Sequence, residues 1–191
     1  RRIAAHRLII SEILVNLREV LRTDMRRSQS LCSCKLRRRG VVDIVIPRDH
    51  NDGDPRVLDL GAGAGLPGIP LRLLWPEGSY TMIEKRQKRA MFLIQACGTL
   101  HLKKTDVQAV PAETYFASHD PCDLIVSRAF MPWRELLSFI DAALLPGGFA
   151  VFMMNDPLPP DVPEGWLAHS SKSYSVRGHV RYLWALRRGE N

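Results

Sequence analysis

Four glycines within eight residues, set directly behind a short apolar run that carries an acid, narrow the folds open to this chain more than any other feature. The stretch reads VLDLGAGAGLPGIPL over 57–71, with Gly61, Gly63, Gly65 and Gly68 making up the turn. A run of strand length, a turn rich in the one residue that accepts positive φ freely, and a helix-length segment describe a strand-turn-helix unit. Such a unit opens a doubly wound α/β sheet and places a ligand across the carboxyl ends of its strands. From Val57 onward short β-branched runs alternate with helix-length segments, the rhythm of a mainly parallel sheet with helices on both faces. Strands are expected at 56–60, 79–84, 106–110, 122–127 and 149–154, and helices at 68–75, 86–99, 112–117 and 133–144. Beyond the proline-rich NDPLPPDVPEGW (155–166), two alternating runs at 167–175 and 179–187 read as an antiparallel hairpin that closes the sheet edge.

Charge separates the chain into unequal parts. Residues 1–48 hold 12 Lys and Arg against 4 acids, whereas 49–191 hold 15 against 16, so the surplus behind the net charge of +7 lies ahead of the glycine turn. This leader, with Ile3, Ile10, Ile13, Leu14, Leu17 and Leu21 at helical spacing, reads as a basic amphipathic helix over 3–22. It faces either solvent or an anionic partner, of which RNA is the commonest for a basic protein. Glu12, Glu19 and Asp24 argue against an organellar transit peptide, which would be poor in acids. With no initiator methionine, a trimmed or incomplete N-terminus is expected. The division is therefore a leader over 1–48, a turn-rich linker over 49–55 and one domain over 56–191, a size that suits a single well-buried core. No apolar run approaches the roughly 18 to 20 residues needed to cross a bilayer, so a soluble, cytoplasmic protein without a membrane role is expected. The cysteines, Cys32, Cys34, Cys97 and Cys122, lack zinc-ligand spacing and read as free thiols, so no metal is expected.

The identity of the ligand turns on two acids. Gly63, Gly65 and Gly68 satisfy the Gly-x-Gly-x-x-Gly pattern of dinucleotide sites, but that pattern alone is weak. Asp59 sits so close ahead of the turn that its carboxylate disfavours a pyrophosphate and favours a ligand carrying an ammonium group. S-adenosylmethionine has one and lacks phosphates, so the glycines then serve close backbone approach, not anion cradling. Glu84 ends the second expected strand, where an acid accepts hydrogen bonds from a ribose diol. Both S-adenosylmethionine and NAD predict that acid, and a surface acid beside the basic run 85–89 is the plainer alternative. No hydroxyl, acid and lysine set for hydride transfer stands out downstream, which favours a methyltransferase over an oxidoreductase.

Four runs, DLGAGAGLPGIPL, IEKRQKRAMFL, PAETY and IVSRAF, follow one another in this order over about 56–149, with an echo in GHVRYLWAL (178–186). In these the chain resembles the RsmG (GidB) family of ribosomal RNA methyltransferases. The resemblance implies a class I S-adenosylmethionine-dependent methyltransferase fold with a seven-stranded, mainly parallel sheet, and methylation of guanine N7 in 16S ribosomal RNA of the small subunit. It further implies that Gly61 and Leu66 belong to the cofactor turn, Ala112 and Glu113 flank the adenine, Glu84 meets the ribose, and Arg128 follows the fourth strand. Arg128 suits either the cofactor carboxylate or an RNA phosphate, since a guanidinium pairs bidentately with both. Together with Asp59, Gly63 and Gly65 these form the expected cofactor site. Guanine N7 keeps an in-plane lone pair at neutral pH, so the chemistry needs positioning and no general base, and no catalytic residue is nominated. The edge bearing N7 is hidden in an A-form duplex, so the target base must be single-stranded or extruded. Lys85, Arg86, Lys88 and Arg89 are candidates to hold its backbone. The chain departs from the family after the fifth strand, where MMNDPL stands in place of a Lys-Gly pair, and in its leader. Another RNA, a protein or a small molecule as substrate, or a non-catalytic RNA-binding role, are the alternatives.

Overall fold

A computed structural model describes residues 54–176 and 178–190. The leader, Cys32, Cys34 and most of the linker lie outside the described residues. Seven strands form one sheet: β1 (Arg56–Leu60), β2 (Ser79–Ile83), β3 (Thr105–Gln108), β4 (Cys122–Arg128), β5 (Leu144–Met154), β6 (Trp166–Val176) and β7 (His179–Arg188). Their order is β3-β2-β1-β4-β5-β7-β6; the first five pair in parallel, and β7 joins antiparallel to β5 and β6. Four helices connect them: α1 (Gly68–Leu74), α2 (Gln87–Thr99), α3 (Ala112–Phe116) and α4 (Trp133–Ile140).

The burial pattern explains this layering. β1 is buried along Val57–Leu60, as a central parallel strand covered on both faces must be. Val57, Tyr80 and Met82 point to one face and pack with Leu71 of α1 and Leu93 and Cys97 of α2. Leu58, Leu60, Ile83 and Ile125 point to the other and pack with Ala112 of α3 and Leu136, Leu137 and Ile140 of α4. Ala90, Leu93 and Cys97 recur at intervals of three and four, so α2 turns one stripe inward and leaves Lys88, Arg89 and Met91 exposed.

Several boundaries differ from the pattern reading, most by a single residue; the fifth strand, expected to start at Phe149, already starts at Leu144. The helix expected over 133–144 stops at Ile140 and tightens into a 3-10 turn over Asp141–Ala143, after which Leu144 already pairs with Cys122. Pro146 disfavours helical backbone at Leu145, and Gly147, at φ 74°, makes the irregularity between Leu144 and Phe149. The third strand begins one residue earlier than expected, at Thr105, and ends two earlier, at Gln108, ahead of Pro111. The hairpin appears as expected and is one residue longer at both ends of β6 and at the end of β7. Cys97 and Cys122 are free and buried, and burial pushes the Cys122 thiol up to about 12.

At the opposite rim from the glycine turn a buried cation ties three segments together. Arg72 of α1 is 2% exposed, and its guanidinium donates to the carbonyls of Trp75, Glu77, Gly78, Lys103 and Lys104 and to Thr105 Oγ1. These acceptors belong to the α1–β2 connection and to the entry of β3.

Candidate cofactor-binding site

The strand order reverses between β1 and β4, and at such a switch point the carboxyl ends of two neighbouring strands part to leave a crevice. Into it runs the glycine turn. The Gly61 and Ala62 N–H groups both donate to Ile83 O, at 2.9 and 3.1 Å, which hooks the turn over the end of β2. Gly61 has φ 68° and Gly63 φ 59°, backbone that costs a residue with a side chain about 1 to 2 kcal/mol. A Cβ on Gly61 would stand 2.8 Å from Phe130 Cδ2. At Gly63 the nearest atom to a Cβ is Gly61 O at 3.6 Å, so the side chain missing there leaves open room above the turn.

Glu84 lies directly beyond β2 and is 5% exposed. One carboxylate oxygen accepts the Gly63 N–H at 3.1 Å and the other the Arg86 N–H at 2.9 Å, while Arg89 stands 3.9 Å away. The Glu84 N–H donates to Gln108 O, which binds the end of β2 to that of β3. Ala112 and Glu113 start α3 four residues further on; Ala112 is buried against Ile83's cluster and Glu113 is exposed.

Asp59 is 1% exposed, on the face of β1 that meets α1. The Tyr80 hydroxyl donates to Asp59 Oδ2 at 3.4 Å, and the Gly68 N–H at the head of α1 also donates to the carboxylate. Burial raises its pKa to about 7, against the pull of Tyr80, the Arg128 charge and the Gly68 bond. Burial and the neighbouring Asp59 also push the Tyr80 hydroxyl well above its ordinary value. The acid is therefore first of all a tie between strand and helix. Arg128 is exposed at the last position of β4, where its charge reaches Asp59. Ala129 follows at φ 53°, a strained setting for an alanine, and turns the chain so that Phe130 meets Gly61.

All nine residues singled out for the cofactor thus come to one rim: Asp59, Gly61, Gly63, Gly65 and Leu66 on the turn and its flanks, Glu84 latched to it, Ala112 and Glu113 beside β3, and Arg128 on β4. Sequence reasoning missed Tyr80 and Phe130. Tyr80 offered only a strand pattern, and Phe130 ended the IVSRAF run without a neighbour to explain it. Replacing Gly61 with alanine should cost about 2 kcal/mol, from the φ penalty and the displaced Phe130 ring. Urea unfolding in a double-mutant cycle with Phe130→Ala checks this: the Gly61→Ala cost should shrink in the truncated background, and two additive costs would mean the contact carries nothing.

The chemistry of the donors fits S-adenosylmethionine. Glu84, its carboxylate set against the turn, keeps lone pairs free for a ribose diol after accepting its two backbone bonds. Gly63 leaves room for close approach of a ligand to the turn backbone. Among the described residues no group of three or more His, Cys, Asp or Glu side chains could hold a metal ion, and no helix is long and apolar enough to cross a membrane.

Comparison with known proteins adds sequence relatives and a fold. Residues 32–157 match the family model described as rRNA small subunit methyltransferase G. The chain is 54% identical over 134 residues to ribosomal RNA small subunit methyltransferase G of Nitratidesulfovibrio vulgaris strain DP4, covering 70% of this chain and 62% of that protein. With the protein of the same name from Oleidesulfovibrio alaskensis it shares 42% identity over 142 residues, 69% of this chain and 62% of the relative. It thus spans less than two thirds of the length of either. Among solved structures, TrmN from Thermus thermophilus superposes with a TM-score of 0.56 at 19% identity, over 71% of this chain and 44% of that one. Precorrin-6y C5,15-methyltransferase from Geobacter metallireducens gives 0.52 at 12%, over 71% and 81%. These likenesses show the class I methyltransferase fold.

Proposed function

The chain belongs to the rRNA small subunit methyltransferase G family, and from that premise we propose that it transfers a methyl group from S-adenosylmethionine to guanine N7 of 16S ribosomal RNA in the cytoplasm. The observation that carries the reading is the latch between Glu84 and Gly63, which puts a nearly buried carboxylate against the glycine turn at the switch point. When bound, S-adenosylmethionine supplies a methyl group on a sulfonium centre. Glu84 binds the ribose hydroxyls, and the Gly61–Gly65 backbone carries the methionine and adenosine parts. Ala112 and Glu113 flank the adenine, Leu66 closes the end of the turn, and Arg128 meets the carboxylate. Asp59 acts through the turn by holding the head of α1.

No residue has to take a proton, because N7 offers its own lone pair; the protein's part is to aim that lone pair along the sulfur–methyl axis. Lys85, Arg86 and Lys88 are exposed beside Glu84 and suit the phosphates of a single-stranded or extruded target. Calorimetric titration with S-adenosylmethionine and with NAD, followed by methyl transfer to 16S RNA from cells lacking the modification, tests the reading. S-adenosylmethionine binding with a 7-methylguanine product is expected; NAD binding instead would overturn it.

Glu84→Ala should weaken S-adenosylmethionine ten- to a hundredfold, equivalent to about 1.5 to 3 kcal/mol for lost charge-assisted hydrogen bonds. Unchanged affinity in the same titration would remove Glu84 from the site. A second reading, a different methyl acceptor, draws on the segment past β5. There Asn155 and Asp156 are exposed where the family carries Lys-Gly, and the Trp184 indole holds Asp156 O at 3.0 Å. Binding of S-adenosylmethionine without transfer to 16S RNA would favour it.

A further inference from the structure

The β6–β7 hairpin stands above the rim that carries the glycine turn. β5 is last paired with β7 at Met154 and Tyr182, yet β6 and β7 continue to pair through Tyr174–Arg181, Ser175–Val180 and Val176–His179. Three further residue pairs at strand rise carry the tip about 10 Å past the end of β5. Because β5 runs parallel to β4, and β4 to β1, that overhang lies on the side where β1 enters its turn and β4 ends in Arg128.

The hairpin carries one sign of charge. Residues 166–188 contain Lys172, Arg177, Arg181, Arg187 and Arg188 and not one Asp or Glu. At the far end the cations are matched: Arg187 meets Glu190 at 2.5 Å, and Arg188 meets Asp141 at 2.9 Å. Toward the tip Arg181 donates to the carbonyl of its neighbour Val180, and among the described residues it meets no carboxylate. Tyr174 faces Arg181 across the hairpin and is buried; burial raises its hydroxyl's pKa, and the Arg181 and Arg128 charges both oppose that rise. His179, Ser175 and Gly178 at the tip are exposed.

We propose that the overhanging tip is a phosphate-binding wall, in which Arg181 and His179 hold the RNA backbone on the side of the crevice away from Lys85, Arg86 and Lys88. The inference rests on the RNA-methylation reading and adds to it the element that positions the target strand. A protein or lipid partner fits less well, since the tip has a single exposed apolar side chain among its described residues, Val180, amid serine, glycine and cations. With β1, β4 and β5 between them, the two basic walls bracket the cofactor crevice, so a strand held by both would cross in front of it.

The test uses the full chain with 16S RNA from cells lacking the modification as the probe. Arg181→Gln should weaken RNA binding about five- to tenfold near 0.1 M salt and reduce the slope of log K against log salt by about 0.7, one single-strand phosphate contact. KM for RNA should rise more than kcat falls, and S-adenosylmethionine affinity should hold, which shows the variant folded. Arg181→Lys should restore the slope. If the parent chain binds and methylates this RNA while Arg181→Gln leaves affinity and slope untouched, the hairpin assignment fails and the function stands. If the parent chain binds S-adenosylmethionine but neither binds nor methylates the RNA, the function itself fails and takes the hairpin assignment with it.

Discussion

Replacing Arg72 with methionine will destabilise the domain by about 3 to 5 kcal/mol, a large share of the roughly 5 to 15 kcal/mol that holds a domain together. The apolar stem is retained, so the loss falls on the guanidinium. Its donors satisfy Trp75, Glu77, Gly78 and Lys103 carbonyls and Thr105 Oγ1, and a thioether in its place would offer none of them a hydrogen. Burial lowers the arginine's pKa, but a guanidinium stays charged in a protein, so the site carries a buried cation met by carbonyl dipoles. Lysine keeps the charge with three donors in place of five, and Arg72→Lys should recover only part of the loss. Urea unfolding at neutral pH measures both. A methionine variant within about 1 kcal/mol of the parent would mean water replaces the guanidinium at these carbonyls.

The second large effect is a pH dependence set by Asp59. Its pKa is about 7 in the folded protein because the carboxylate is fully buried, and an unfolded aspartate titrates near 3.9. Between these values the folded state binds a proton that the unfolded state does not, so stability falls as pH rises from about 4 to about 7 and levels off above. The shift corresponds to roughly 4 kcal/mol at most. Asp59→Asn removes the titration while keeping an oxygen for Tyr80 or Gly68. The difference in stability between variant and parent should therefore move in the variant's favour across this interval, with the other carboxylates cancelling. Urea midpoints at closely spaced pH values check it, and two parallel curves would mean that Asp59 titrates like an exposed acid.

What could be read in the sequence was what short-range pattern encodes. β1 was legible to the residue, because a buried run bounded by Pro55 and Gly61 leaves its ends no choice. The hairpin was legible because the prolines of 157–163 isolate it from the sheet's parallel part. The fourth helix was overextended, since Ala142, Ala143 and Leu144 suit a helix well and nothing local shows that Leu144 pairs with Cys122 across the sheet. In the site, the glycines and Glu84 announced themselves by type and spacing. Asp59's burial did not, because it depends on Tyr80 arriving from the next strand and Gly68 from the helix above. Arg72 was silent for the same reason: an arginine in a seven-residue helix reads as a solvated charge until the two loops that surround it are in place.

α1 is fastened at both ends by buried polar groups, Asp59 at Gly68 and the cage of carbonyls at Arg72. A helix of seven residues is about 10 Å long, short enough to move as one stiff rod. Slack at either fastening would let it slide, and the turn at its head would slide with it. The far rim of the sheet, at the other end of the strands from the glycine turn, therefore sets the pitch at which the glycine backbone meets a ligand. Loosening Lys103 or Thr105 from Arg72 should register as a weaker grip on S-adenosylmethionine even where the fold survives.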